Sequence, residues 1–357
     1  MAVKFTKPEI NVREKLAELD KPSGIAGEAM LRAETVAEQQ ALIGVGRRNL
    51  LINGDFRVAQ RATTYTKTAN SWNVYGSVDR WGIYYQNTVV AQNSGVINGS
   101  YQYYVSVGNT GTAPDNHFIY QKIESGSRIV SGKPITISFM AKSANSTELR
   151  LRGRFMDSAT TSGSVNSGEK TFNLTPEWQS FDWTFTPVDT SANITRDFLI
   201  IVDTEITNDT VSDIYDLTNF QIELGKVATP FEHRSYGEEL ALCQRYYLDL
   251  SAHQSGQSFE KLGMFQGSNN TTSGFTYTQF PVTMRARPSL VVSSSASHYG
   301  IYQGSDIVCT SVPSLNSNCT KHNGVCIISA SGLEAKGSGI FQENNNSGAL
   351  LAFSAEL

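Results

Sequence analysis

Apolar and polar residues alternate at every second position in short runs along much of this chain. In Ile135-Thr136-Ile137-Ser138-Phe139 and Leu149-Arg150-Leu151-Arg152 the apolar side chains fall on one side, the period of a half-buried β-strand. Between residues 49 and 235 this pattern predicts strands at Asn49–Ile52, Arg80–Tyr85, Tyr101–Val107, His117–Ile123, Ile135–Lys142, Glu148–Phe155, Gln179–Phe185 and Arg196–Asp203. A closing strand comes next, carried by Ile214, Leu217, Phe220, Ile222 and Leu224. Many short strands with no helix between them make an antiparallel jelly-roll sandwich. Gly225 and Thr229-Pro230-Phe231 end it, since the residue before a proline is pushed out of the α region. After Ser235 the run Gly237–Arg245 reads as a short helix, with acids in its first turn and an arginine in its last. A second, smaller β-sandwich-like domain then spans residues 236–357. Its alternating Phe275–Val282 and its apolar ending Ala349–Leu357 imply a terminal strand that is paired in a sheet or buried between subunits.

The first 48 residues differ. Asn11–Leu19 is a short amphipathic helix, and Ser23 can cap a second one running to about Ile43. Ala26, Met30, Ala33, Ala37, Gln40 and Gly44 make a heptad seam of small residues. So little apolar area does not hold a free coiled coil together, so residues 1–48 are expected to be a helical docking arm ordered by assembly. The fold class is therefore mainly β: helical arm, jelly roll over 49–235, short helix and β tip over 236–357.

Composition narrows the function. Charged residues are 17% of the 357, the formal net charge is −4, and 15 tyrosines accompany abundant Gly, Asn, Ser and Thr. That balance argues against nucleic acid or an anionic membrane as the main partner. No apolar run reaches the length needed to span a bilayer. Met1–Leu16 lacks the apolar stretch of a secretory signal, so the Asn98, Asn145 and Asn193 sequons carry no weight and Cys243, Cys309, Cys319 and Cys326 are expected as free thiols. Cys319 and Cys326 flank His322 at a spacing that matches no zinc pattern, and no metal or cofactor is expected. The chain has no GxSxG, HExxH or phosphate loop, and its five histidines (117, 233, 253, 298, 322) have no partnered nucleophile. Asp203 with Glu205 and Asp213 with Asp216 are the local acid clusters, both at strand ends, and no repeat of a β-helix is visible. The expectation is a protein that is not an enzyme.

Three stretches are more specific: Asn49-Leu50-Leu51-Ile52-Asn53-Gly54-Asp55-Phe56, Val78-Asp79-Arg80-Trp81, and Phe220-Gln221-Ile222-Glu223-Leu224-Gly225-Lys226-Val227-Ala228-Thr229-Pro230-Phe231-Glu232. Together they resemble a module of bacteriophage tail fibres and other virion appendages, a jelly roll similar to carbohydrate-binding modules, over roughly residues 49–247. The resemblance implies that the opening and closing strands are sheet neighbours. The helix with Cys243–Tyr247, the Phe280–Pro288 stretch and the Ser-Ala-Glu-Leu ending resemble the tip that succeeds this jelly roll in phage fibres. The resemblance further implies a homotrimer in the virion, made in the host cytoplasm, joined to other virion proteins through residues 1–48 and meeting a host cell-surface glycan or protein. The alternative is a head or baseplate decoration protein without receptor binding; a glycan hydrolase is the third reading. Related sugar-binding jelly rolls hold calcium near the opening and closing strands, but Asp55 reads as a turn residue and Asp79 as an ion-pair partner. Sugars stack on exposed rings flanked by amides, which singles out Trp72 and Tyr75 in the first domain and His298, Tyr299, Tyr302 and Gln303 in the second; Trp81 and Trp183 read as core.

Overall fold

The computed structural model describes residues 47–109, 118–144, 148–157, 164–191, 195–204, 214–251, 259–346 and 348–356. The expected helical arm lies outside the described residues, apart from Arg47 and Arg48.

Among the described residues the first body contains β1 (Thr64–Thr66), β2 (Gly82–Ile83), β3 (Thr88–Ile97), β4 (Ser100–Asn109) and β5 (Phe118–Ile123). A short helix α1 (Gly126–Val130) precedes β6 (Ile135–Lys142), β7 (Glu148–Met156), β8 (Val165–Asn173), β9 (Gln179–Phe185), β10 (Asp197–Thr204) and β11 (Tyr215–Leu224). They form two antiparallel sheets, ordered β1-β3-β4-β11-β6-β9 and β2-β5-β10-β7-β8. From β4 onward the chain crosses between the sheets repeatedly, which is how a jelly roll closes over one core. Trp81, Ile137, Phe139, Phe155, Phe198, Trp183 and Phe220 interdigitate there. Strand β10 is buried on both faces. Phe198, Ile200 and Val202 enter the core, while Leu199 and Ile201 lie with Phe118 and Tyr120 under Trp72, Tyr84 and Tyr85. This explains its unbroken apolar run.

The opening segment is not a strand, yet it lies beside the closing one. Leu50 N–H donates to Ile222 O at 2.8 Å, and Asn49 binds Phe220 O and Ile222 N–H with its side-chain amide at 3.0 and 3.1 Å. An ideal Cβ on Gly54 would sit 2.1 Å from Phe220 O, so glycine is required where the two segments touch.

The second body begins with α2 (Tyr236–Gln244), capped by Ser235 and Glu238 in a reciprocal capping box. It continues with β12 (Tyr247–Asp249), β13 (Lys261–Gly267), β14 (Ser273–Gln279), β15 (Ser289–Val292), β16 (Tyr299–Tyr302) and β17 (Asp306–Val308). The last strands are β18 (Ser314–Leu315), β19 (Asn323–Ser329), β20 (Ser338–Glu343) and β21 (Leu351–Ser354). A small sheet, β12-β21-β15, packs on a larger one, β17-β16-β20-β13-β14-β19-β18. The apolar ending is thus the central strand of a sheet, which accounts for its burial without a subunit contact.

The bodies share a buried seam. Cys243 and Tyr246 pack on Ile52 and Val58, and the buried Glu239 carboxylate accepts from Asn53 N–H and from Arg234. Arg80 lies in the same seam, its guanidinium 3.5 Å above the Tyr246 ring and paired with Glu356. Arg61 adds a second cation to Glu356 at 2.9 Å and stacks on Tyr247 at 3.6 Å.

Candidate functional site

The outer face of the six-stranded sheet carries the first body's polar and aromatic surface. Strand alternation directs Asn93, Tyr104, Ser106, Asp216, Thr218, Lys142, Met140 and Ser138 away from the core. Trp178, in the turn before β9, lies across this face, its ring edge-on to Tyr104 with centroids 5.5 Å apart and Lys142 Nζ 5.2 Å above it. Asp216 accepts from Ser106 Oγ at 2.5 Å and faces Lys142 Nζ at 3.5 Å; Ser106 in turn accepts from Asn93 Nδ2 at 2.9 Å. At the bulge of β11, Asn219 adopts φ 51° and donates to Gln102 Oε1 at 2.9 Å, leaving its own Oδ1 buried with no hydrogen-bond donor. Two half-buried rings beside a carboxylate, an ammonium and amides can stack on the apolar face of a sugar and take its hydroxyls. Trp178 is legible as one of the chain's four tryptophans, but only the sheet register sets it beside Tyr104.

The residues singled out from sequence scatter. Trp72 is half-buried among Tyr84, Phe118 and Tyr120, with ring centroids 4.6–5.6 Å away. Its loop is tied down where Asn73 N–H donates to Tyr120 Oη at 2.7 Å and Lys122 Nζ to Asn73 Oδ1 at 2.8 Å. Tyr75 is half-buried between Tyr120 and Arg61, and burial pushes its phenol well above the ordinary tyrosine value. In the tip Tyr299 is a core residue stacked on Phe341, its hydroxyl held by Ser293 and Leu350 O. His298 bonds Ser293 Oγ at 2.9 Å, and Gln303 is spent on Glu334 N–H at 3.1 Å. Tyr302 is exposed, on the outer face of the larger tip sheet. The structure does not bring these six into one site.

Other chemistry reduces to structure. Asp203 is buried and held by Arg150, at 2.9 and 3.2 Å, and by Arg152, while Glu205 and Asp213 lie outside the described residues. Asp55 pairs with Arg57, and Asp79 faces Arg61 at 3.5 Å. All four cysteines are buried thiols, and the described residues hold no group of three metal-ligating side chains. A cleft of about 250 Å³ at the seam is lined by Arg47, Arg80, Lys122 and Arg245; Arg80 pairs with Glu356, Lys122 with Asn73 and Arg245 with Glu124 at 3.2 Å.

No family model matches the chain, and no curated protein matches it. Solved structures do resemble it. A putative sugar binding protein from Bacteroides thetaiotaomicron is 12% identical over 50% of this chain and 100% of its own, with a TM-score of 0.36. The CBM22-2 xylan-binding domain from Paenibacillus barcinonensis is 12% identical over 42% of this chain and 94% of its own, at 0.32. The enzymatically active domain of Bacteriophage CBA120 tailspike protein 4 is 13% identical over 49% of this chain at 0.34; this chain spans 21% of that one. Several of the structural neighbours are carbohydrate-binding modules of the jelly-roll type.

Proposed function

We propose that this chain is a non-catalytic virion appendage protein of the tail-fibre type, assembled from several copies, whose jelly roll binds a host surface glycan. The observation that carries the reading is the Tyr104–Trp178 ring pair set across a row of Asn, Ser, Asp and Lys on an open sheet face. The opening and closing motifs are in hydrogen-bonded contact, although the opening one is not a strand of the sheet, and that contact supports the virion assignment. A shallow face of this kind binds weakly on its own; repetition over copies and fibres raises avidity without a deep pocket.

The purified chain should be retained by surface polysaccharide of its bacterial host, read by surface plasmon resonance. Trp178→Ala and Tyr104→Ala should each weaken retention by about tenfold or more, the value of a lost stacking contact, while thermal melting stays within a few degrees. Unchanged binding by both variants rejects the site. Release of new reducing ends from the polysaccharide rejects the non-catalytic reading.

A further inference from the structure

The larger sheet of the second body carries an exposed face of a different kind. Tyr302 pairs with Ile340, Ile340 with Met264, Met264 with Tyr277, and Tyr277 with Val325, so five apolar side chains stand in one row on the adjacent strands β16, β20, β13, β14 and β19. Direct pairing puts all five on the same side, opposite the core residues Ile301, Phe341, Phe265 and Ile328. Met264 is 67% exposed, Tyr277 52% and Tyr302 44%, and Phe275 in the next row is 42% exposed beside Ile327. Thioether, aromatic and aliphatic groups displayed together on a sheet face, with the Tyr277 hydroxyl already taken by Asn323 Nδ2 at 2.7 Å, are an unfinished contact.

The distribution of charge says what completes it. Among the described residues no charged side chain stands between these apolar positions. Lys261 and Asp306 lie at the margin, joined through Gln342 by hydrogen bonds of 2.6 and 2.9 Å, and Gln266 with Ser338 closes the other side at 3.2 Å. An apolar centre inside a polar rim is the anatomy of a protein interface. A surface that meets copies of itself around a symmetry axis must be uncharged near that axis, because each charge would face its own repeat. Area agrees. Seven strands spread over roughly 30 Å, the four central ones six or seven residues long and the other three two to four, give on the order of 500 Å² of face, a large part of the roughly 800 Å² per partner of a standard interface once side-chain relief is added.

We infer that the outer face of this seven-stranded sheet is the self-association surface of the protein, with Met264, the middle of the apolar row, nearest the axis. The inference rests on the proposed multi-copy assembly and names the surface that holds it. Glycan binding stays with the other body; the amides beside this row, Gln342 and Gln266, are already bonded to Lys261 and Asp306 and to Ser338.

The test compares the full chain with Met264→Lys and Tyr277→Lys by sedimentation velocity across a dilution series. Both positions are exposed, so the fold is preserved, and circular dichroism checks it. Placing like charges together at the axis should weaken association by about a hundredfold or more, and Val96→Lys on the exposed hairpin of the first body should leave it unchanged. Met264→Cys should form a reducible cross-link between copies on mild oxidation. A wild-type chain that sediments as a monomer at all concentrations overturns the multi-copy reading itself. A wild-type oligomer unmoved by both lysine variants overturns only the assignment of this face. Loss of glycan retention by Met264→Lys in a chain whose sedimentation is unchanged would reassign the face to ligand binding and overturn the inference.

Discussion

Replacing Glu356 by glutamine tests how the two bodies are joined. Arg80 is 1% exposed and its guanidinium is held by Glu356, by Lys122 O at 3.1 Å and by the Tyr246 ring at 3.5 Å. Burial opposes the charge on Arg80, and Glu356, with Tyr246 and Tyr75 in support, raises its pKa above the ordinary arginine value. Glu356 also serves Arg61 at 2.9 Å, which Asp79 faces at 3.5 Å, so Glu356 bridges both cations of the seam while Arg61 has a second carboxylate. Removing one partner of a buried pair costs about 3–5 kcal/mol, because the remaining charge is left without compensation. The carbonyl and the ring remain with Arg80, which places the loss near the lower end, about 3 kcal/mol, or roughly a hundredfold in the folded ratio. Urea denaturation read by tryptophan fluorescence measures it. Arg80→Met combined with Glu356→Gln should cost less than the sum of the two single losses, giving a coupling energy of about 2 kcal/mol or more in a double-mutant cycle. A loss below about 1 kcal/mol for Glu356→Gln would refute the reasoning, since that is the value of a solvated surface pair.

The first body supplies two further expected outcomes. Burial raises the Asp79 carboxyl to about 6, against the opposing pull of Arg61 and Gln60. The folded state therefore keeps this proton where the unfolded chain has lost it, and the Asp79 contribution to stability falls as pH rises from about 4 to about 6, then levels off. Asp79→Asn should flatten that fall, by up to roughly 3 kcal/mol at 1.4 kcal/mol per unit, in melts taken across the window. Gly54→Ala drives a methyl group into Phe220 O and should cost at least about 2 kcal/mol, whereas Gly237→Ala, with open space around it in the first turn of α2, should stabilise by about 0.5–1 kcal/mol. Thermal melting of both variants checks the contrast, and equal effects would mean that the opening and closing segments are not in contact.

Alternation is the reliable signal in this chain. Ile135–Lys142 and Gln179–Phe185 are strands over the same residues that the pattern predicts, because each puts one face into the core and one into water. Strand β8 is polar at nearly every position and sits at the edge of its sheet, where no apolar face is demanded, so its sequence carries no period. Strand β3 escapes the pattern for a different reason. Its hairpin with β4 turns at Asn98-Gly99, both at positive φ, a two-residue turn signal hidden inside an apparent glycosylation sequon. Arg80–Tyr85 shrinks to Gly82–Ile83, and Asn49–Ile52 is held by one backbone bond to Ile222 and by the side chains of Asn49 and Gln121 rather than by a ladder.

Local chemistry determined the mainly β class, the strand periods, the Ser235-capped helix and the burial of Trp81 and Trp183, since each depends on residues a few positions apart. Tertiary structure alone decided where rings and charges meet. Tyr104 and Trp178 come from β4 and the turn before β9, Arg80 and Glu356 are 276 positions apart, and the apolar row from Tyr302 to Val325 is assembled from five strands whose order is not their order in the chain. Sheet pairing, which sets such contacts, is a property of the closed fold and leaves no mark in any short window of residues.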